Sequence, residues 1–162
     1  MTRLLPLDVI APDLVAACDY QRHALQRLDA NALAYLQGGA ADELTCQANL
    51  NVWQDWALLP RLLRDLRGGH TRCQLLGDTL QHPILLAPVA YQQLFHPEGE
   101  RATALAAGVM GGAAVLSSYA STALEEVAEA GNGPLWFQLY WQGDGPRTLA
   151  LAERAAAAGY KA

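Results

Sequence analysis

The sequence has no long hydrophobic run and no cluster of basic residues. No segment reaches the roughly 18 consecutive apolar residues of a membrane-spanning helix, and residues 1–8 lack the apolar centre and cleavage site of a signal peptide. Eleven lysines and arginines stand against 16 acidic residues, which gives a net charge of −5. That balance argues against nucleic acid or an anionic membrane as the main partner. We therefore expect a cytoplasmic protein without a membrane span.

Cysteines and familiar catalytic motifs are also scarce. The three cysteines are scattered along the chain, and their odd number suits a reducing compartment better than a disulfide scaffold. His70 and Cys73 have the spacing of two metal ligands, but no second pair matches them, so no metal site is expected. Nucleotide-binding loops of the G-x-G-x-x-G or Walker A type are absent. His23 lies in a predicted helix and is interpreted as solvent-facing or structural. His96 precedes Pro97 at a helix start and is interpreted as a capping or loop residue.

Apolar residues make up 52% of the chain, enough for a folded core. The first part, residues 1–67, is predicted to be a helical N-terminal segment. The hydrophobic spacing and the capping residues predict three helices, over 12–28, from a cap at Asn31 to Gly38-Gly39, and over 40–52.

The second part, residues 68–162, begins with a predicted hairpin and then repeats a strand–loop–helix unit. The hairpin strands are 71–76 and 79–80, around a turn at Gly77-Asp78. The repeated strands are 84–87, 113–117 and 135–140. Their helices are predicted over 98–110, from a capping box at Thr122 and Glu125, and from Pro146 to Gly159. Tyr160-Lys161-Ala162 would open a fourth strand.

Alternating strands and helices predict a parallel sheet with right-handed crossovers. Both a doubly wound open sheet and a (β/α)8 barrel satisfy this spacing, which leaves the choice between them open. A complete barrel takes about 250 residues, so three units and the start of a fourth strand would be an unfinished one.

In either fold, ligands gather at the carboxyl ends of the parallel strands. Those ends hold Pro88-Val89-Ala90, Ser117 and Gln138. The Gln138 amide suits the polar edge of a planar heterocycle, Ser117 can donate and accept, and Val89 and Ala90 could present backbone groups. On the residues alone, however, the plainer interpretation is favoured, namely that strand ends are polar because they meet water.

The same segments resemble the FMN-dependent 2-hydroxy-acid oxidases and dehydrogenases, a family that includes glycolate and lactate oxidases. The resemblance covers nearly the whole chain from Leu33 onward. Five motifs carry it in order and at the right spacing: YLQGGAADELT at 35–45 with Asn51, LAPVA at 86–90, HPEGE at 96–100, LSSYAS at 116–121 and WFQLY at 136–140. The last residues, AGYKA at 158–162, also fit as the entry to barrel strand four.

The resemblance implies a (β/α)8 barrel with a helical preface. By the same resemblance, Pro88, Val89 and Ala90 lie against the flavin of FMN, and Ser117 and Gln138 hydrogen-bond its ring. The two substrate-binding residues it implies are tyrosines. Tyr35 would bind the substrate carboxylate, and Tyr140 would lie over the substrate hydroxyl and stabilise the transition state.

The implied reaction is oxidation of a small L-2-hydroxy acid, lactate- or glycolate-like, to the 2-oxo acid. Tyr119 and the run 136–138 favour a lactate-like acid. In the family, the histidine base, the carboxylate-binding arginines and the flavin-stabilising lysine come from strands four to eight. We therefore expect this chain to be the N-terminal half of such an enzyme, truncated at the start of strand four and inactive by itself.

Two alternatives remain open at this point. A second polypeptide could supply the C-terminal half of the barrel, which would make this chain one subunit of a split enzyme. Alternatively, the half barrel could pair with another copy of itself as a non-catalytic binding module. Members of the family are often homo-oligomers, and this too is implied by the resemblance.

Overall fold

A computed structural model describes residues 9–161, which form two compact units, Val9–Gly69 and residues 70–161. The first is helical and the second contains all the strands of the described chain. None of the helices within residues 9–161 combines the length and the apolar character that a bilayer crossing requires.

The helical unit contains three short α-helices and two 3-10 turns. Within it, Ala32 alone is buried, so the unit has almost no core of its own. Residues 56–69 contain no helix or strand. The helices are α1 (Tyr20–Arg27), α2 (Ala30–Gln37) and α3 (Leu44–Asn51), and the 3-10 turns are Ala17–Asp19 and Val52–Asp55.

The helix predicted over 12–28 is wrong in its first part, because residues 12–16 are not helical. Asp19 explains the late start. Its carboxylate accepts hydrogen bonds from the backbone N–H groups of Ala16 at 2.7 Å and Val15 at 2.9 Å, which fixes a turn there. The same bonds lower the pKa of Asp19.

The predicted starts of the next two helices are also wrong. Asp29, rather than Asn31, caps α2, since its Oδ1 accepts from the N–H groups of Asn31 at 2.9 Å and Ala32 at 3.0 Å. The helix predicted over 40–52 begins only at Leu44, because Ala41 and Glu43 adopt left-handed backbone conformations that no α-helix contains.

The second unit begins with an antiparallel hairpin of β1 (Cys73–Leu75) and β2 (Asp78–Leu80). The turn lies at Leu76-Gly77, one residue earlier than predicted. Both of these residues have positive φ, of 47° and 85°, as the preferred two-residue hairpin turn requires. Asp78 is therefore the first residue of β2 and not part of the turn.

A three-stranded parallel sheet follows, in the order β3-β4-β5, and each strand precedes a helix. The predicted alternation of strands and helices is thus confirmed. The strands predicted over 84–87 and 135–140 are shorter than expected. The elements are β3 (Leu85–Leu86), α4 (Gly99–Val109), β4 (Ala113–Ser117), α5 (Leu124–Ala130), β5 (Leu135–Gln138) and α6 (Gly145–Ala157).

One face of this sheet packs against the helices. Side chains alternate along a strand, and the core therefore takes every second residue of β4 and β5. The buried cluster joins the two strands to all three helices: Ala104, Ala107, Ala114, Leu116, Leu124, Val127, Leu135, Ala155 and Tyr160. The alternate residues, including Ser117 and Gln138, lie on the opposite face of the sheet.

The capping box predicted at Thr122 and Glu125 does not form. Ala123 is the N-cap of α5, because both predicted partners make other contacts. The Thr122 hydroxyl donates to Glu100 Oε2 at 2.9 Å, and the Glu125 carboxylate pairs with the Arg154 guanidinium at 2.6 and 2.7 Å.

After α6 the chain returns to the edge of β5. The backbone N–H of Lys161 donates to the carbonyl oxygen of Leu135 at 3.0 Å, and the Lys161 ammonium pairs with the buried Asp78 carboxylate of the hairpin. A parallel strand beside β5 would begin with such a backbone bond. Residues 160–161 form no strand themselves, and Ala162 lies outside the described residues, so the fourth strand stays a prediction.

Candidate functional site at the carboxyl ends of the strands

The candidate site lies where β3, β4 and β5 end. Because the three strands are parallel and adjacent, the loops that follow them meet at one edge of the sheet. Pro88, Val89 and Ala90 follow β3, whereas Ser117 ends β4 and Gln138 ends β5. The structure thus brings these five predicted cofactor-binding residues to the same edge.

The loop after β3 presents unpaired backbone donors. No described residue accepts a hydrogen bond from the N–H of Val89 or Ala90. The loop is nevertheless held in place, since the Val89 carbonyl accepts from Gln92 Nε2 at 3.3 Å and the Tyr91 N–H donates to the Tyr119 carbonyl at 3.1 Å. These two N–H groups are therefore fixed and available to a ligand.

Ser117 and Gln138 are paired across β4 and β5. The Gln138 side-chain oxygen accepts from the Ser118 N–H at 3.3 Å, from the Ser118 hydroxyl at 3.4 Å and from the Ser117 hydroxyl at 3.5 Å. These contacts set the orientation of the amide. Its nitrogen has no acceptor among residues 9–161, which leaves two donors for a ligand.

Three tyrosine rings line the same edge. The Tyr91 and Tyr119 rings stack with centroids 6.1 Å apart and planes 12° apart, and the Tyr119 and Tyr140 rings lie 5.1 Å apart at 31°. About half of each side chain is exposed. We call this set the tyrosine row.

Sequence reasoning gave Tyr140 a role in this site and treated Tyr119 only as a substrate indicator, and it missed Tyr91. A signal for part of the row was present, because Tyr119 and Tyr140 each stand two residues after the last residue of their strand. Tyr91 breaks that spacing, and it has a left-handed backbone, with φ of 55°, and an N–H that donates to the Tyr119 carbonyl.

Tyr35, the other predicted substrate residue, lies on α2 in the helical unit, and about half of its side chain is exposed. It therefore belongs to a different compact unit from the residues at the strand ends.

No described histidine hydrogen-bonds to Ser117, Gln138 or Tyr140. His82 lies at the amino end of β3, where its Nε2 is 3.1 Å from the Met110 carbonyl. His96 Nδ1 accepts from the Glu98 N–H at 3.2 Å at the start of α4. Within residues 9–161 no three histidine, cysteine or acidic side chains gather into a metal-binding group. The described strand ends therefore offer donors and aromatic surface.

Comparison with known proteins decides the family. The model of the FMN-dependent dehydrogenase family matches residues 24–162. The chain belongs to this family. The predicted family is thereby confirmed, and FMN is the cofactor from which the family takes its name.

Curated relatives of the chain include several oxidases. It is 50% identical over 157 residues to an L-lactate oxidase of Alicycliphilus denitrificans, covering 97% of the chain and 43% of that protein. It is 38% identical over 152 residues to 2-hydroxyacid oxidase 1 of Homo sapiens, covering 93% and 41%. The chain thus spans about two fifths of the length of these relatives.

Solved structures agree with these relatives. A crystal structure of mandelate oxidase matches 90% of the chain with a TM-score of 0.87 and 40% identity, and the match covers 42% of that enzyme. A mandelate oxidase variant with a C4a-OH-FMN adduct matches with a TM-score of 0.84 and 39% identity, covering 88% of the chain and 43% of the variant. The α/β fold of the described chain is therefore similar to part of mandelate oxidase.

Proposed function

We propose that this chain provides the first strands of a (β/α)8 barrel that binds FMN and oxidises a small L-2-hydroxy acid, lactate- or glycolate-like, to its 2-oxo acid. In this proposal residues 1–67 are the helical preface and 68–162 the barrel part. Membership in the FMN-dependent dehydrogenase family and the oxidase relatives support it. The observation that carries it is the set of fixed, unpaired donors at the strand ends.

These donors fit a flavin ring. The polar edge of an isoalloxazine offers carbonyl oxygens and ring nitrogens that accept hydrogen bonds, and the strand ends supply the unpaired N–H groups of Val89 and Ala90 and the Gln138 amide nitrogen. The Ser117 hydroxyl, which makes only a long bond of 3.5 Å to Gln138, would turn to the ring as a further donor. Pro88 would lie against the ring with the same loop. Bound FMN would supply the redox chemistry, as the acceptor for the hydride equivalent from carbon 2 of the hydroxy acid.

Two tyrosines would bind the substrate. Tyr140, in the tyrosine row, would direct its hydroxyl toward the substrate hydroxyl and stabilise the charge that develops there in the transition state. Tyr35 would donate to the substrate carboxylate, a role that rests on its motif at 35–45. The aromatic surface of the row would exclude water from the reacting carbon.

The group that removes the substrate hydroxyl proton is not among the described histidines in this proposal, since none contacts Ser117, Gln138 or Tyr140. Further barrel strands, on the same polypeptide or on a complementing one, would supply this base together with the arginine and lysine. We infer that residues 1–162 alone bind FMN and orient the substrate but do not oxidise it.

An apolar groove of about 320 Å³ beside β5 supports this arrangement. Its lining includes Phe137, Leu139 and Ala155, residues of a type that a neighbouring barrel unit would cover. Together with the backbone bond from Lys161 to Leu135, the groove marks the side of the sheet where the next unit would pack.

A visible absorption spectrum tests this proposal. The purified chain is titrated with FMN and then given L-lactate without oxygen. We expect a shifted flavin band, showing that FMN binds, and no bleaching by lactate. Bleaching by the chain alone would contradict the inferred lack of turnover, whereas an unshifted spectrum would contradict the FMN site.

A pair of glutamine variants locates the site. Gln138→Ala removes the amide at the end of β5, and Gln81→Ala is the matched control, because Gln81 precedes β3 at the opposite end of the sheet. We expect only Gln138→Ala to weaken FMN binding. Equal effects of the two substitutions would place FMN elsewhere.

A further inference from the structure

Glu100 is a buried carboxylate that has no role in the proposed function as described above. It lies in the first turn of α4, and only 1% of its surface is exposed. No lysine, arginine or histidine in the described chain pairs with it. Burying a carboxylate without a cation is costly, so its hydrogen bonds must compensate.

Three donors surround this carboxylate, and they come from two different loops. Glu100 Oε1 accepts from the Gln92 N–H at 3.1 Å, in the loop after β3, and from the Ser121 N–H at 2.8 Å, in the loop after β4. Oε2 accepts from the Thr122 hydroxyl at 2.9 Å. A single side chain therefore ties together the two loops that carry most of the candidate site.

The network continues to the flavin-facing loop itself. The side chain of Gln92 accepts from the Thr103 hydroxyl at 2.6 Å and donates to the Val89 carbonyl at 3.3 Å. Glu100 is thus connected through Gln92 to Val89, whose N–H is one of the unpaired donors.

Gln93 adds a second connection between the same loops. Its N–H donates to the Ser121 hydroxyl at 3.2 Å, and its side-chain amide donates to the Thr122 hydroxyl at 3.3 Å. The loop after β3 is therefore held at two neighbouring residues, with the Glu100 carboxylate at the centre of the polar cluster.

We propose that Glu100 is a positioning residue that fixes the loops after β3 and β4, so that the N–H groups of Val89 and Ala90 and the pair Ser117–Gln138 keep the geometry that FMN requires. This inference rests on the proposed function. Glu100 does not touch the cofactor in this arrangement and acts through Gln92, Ser121 and Thr122.

The test compares variants that keep or remove the acceptors. Glu100→Ala leaves the N–H groups of Gln92 and Ser121 without an acceptor. Glu100→Gln keeps one side-chain oxygen that can accept from both N–H groups, and its amide nitrogen can donate to the Thr122 hydroxyl. Thr122→Val and Thr122→Ser make a milder pair, without and with the hydroxyl. Glu129→Ala, on the exposed side of α5, is the control for loss of an acidic residue.

The readouts are the Kd of FMN, from flavin fluorescence, and hydrogen exchange of the Gln92 and Ser121 amides in the FMN-free chain. We expect Glu100→Ala to raise the Kd about tenfold and to speed exchange of both amides. Thr122→Val should raise the Kd about threefold. Glu100→Gln, Thr122→Ser and Glu129→Ala should bind FMN nearly as the wild type does.

An unchanged Kd in folded Glu100→Ala and Thr122→Val would overturn this inference and leave the proposed function standing. Equal protection of the Gln92 and Ser121 amides with and without the carboxylate would also overturn it. If the wild-type chain does not bind FMN, the proposed function fails and the inference fails with it. If Glu100→Ala does not fold, the comparison of FMN affinity between Thr122→Val and Thr122→Ser decides the question.

Discussion

The two ends of the parallel sheet differ in what their polar groups contact. At the amino end, the hairpin buries Leu80 fully, and Asp78 Oδ1 pairs with the Lys161 ammonium, whereas Asp78 Oδ2 is buried without a partner among the described residues. At the carboxyl end, the N–H groups of Val89 and Ala90 and the Gln138 amide nitrogen have no partner among the described residues. Under the proposed function, the amino end serves stability and the carboxyl end binds the cofactor.

The largest effect is expected at the amino end, from Leu80→Ala. Leu80 is among the largest fully buried side chains of the described chain, and truncating such a leucine costs about 3 kcal/mol of unfolding free energy. Urea denaturation measures the loss, with the exposed Leu76→Ala as the matched control. FMN affinity should not change as long as the variant is folded. Weaker FMN binding by folded Leu80→Ala would contradict the view that this end of the sheet contributes only to stability.

Removing the charge partner of Asp78 should have a smaller effect of the same kind. Lys161→Met leaves a buried carboxylate without its cation, which costs about 2 kcal/mol once the half-exposed lysine is allowed for. The double variant Lys161→Met/Asp78→Asn should recover part of this loss, because no unpaired charge remains. If the double variant is less stable than Lys161→Met, the loss of stability in Lys161→Met does not come from an unpaired Asp78 charge.

At the carboxyl end, substitutions should change FMN affinity more than they change stability, which is the reverse of the amino end. Gln138→Ala removes two donors that contact nothing in the described chain, so we expect FMN affinity to fall about tenfold. The unfolding free energy should change by less than about 1 kcal/mol, since the amide oxygen makes only long hydrogen bonds. A large loss of stability with unchanged affinity would reverse the roles of the two ends.

The smallest effect is expected from the helix layer, which belongs to neither end. The Arg154 guanidinium lowers the pKa of Glu125 below its ordinary 4.5. The unfolded chain therefore binds the Glu125 proton at a higher pH than the folded chain does. The stability that this pair contributes is complete above about pH 4.5 and is lost as the pH falls through the lowered pKa.

Arg154→Gln tests this pair by urea denaturation across the pH range. We expect the variant to be slightly less stable than the wild type at pH 7, with the difference closing as the solution becomes more acidic. A difference that grows toward low pH would contradict the lowered pKa. FMN affinity should not change, because neither residue hydrogen-bonds to Ser117, Gln138 or the loop after β3.

The strand–helix alternation and the strand ends could be predicted from the sequence because each depends on local patterns. Short apolar runs bounded by glycine and proline gave the strands, and the last residues of those runs gave Ser117 and Gln138 as candidates. The residues of the site remain a prediction until FMN binding is measured.

Contacts of individual side chains and single backbone conformations explain what the sequence did not predict. Thr122 matched a capping box locally, but its hydroxyl donates to Glu100, which lies 22 residues earlier. Asn31 is a good capping residue, but the Asp29 carboxylate two positions before it binds the same helix start. Likewise, Tyr91 stacks on Tyr119 and has a left-handed backbone, and no composition pattern reveals either feature.

The central claim is that FMN binds at the carboxyl end of the sheet through the unpaired donors there. Amide hydrogen exchange of the chain with and without FMN tests it most directly. The account predicts that the amides of Val89 and Ala90 gain protection when FMN is added, while those of the β1–β2 hairpin do not change. Protection confined to the hairpin, or no protection at Val89 and Ala90 under conditions where FMN is bound, would contradict it.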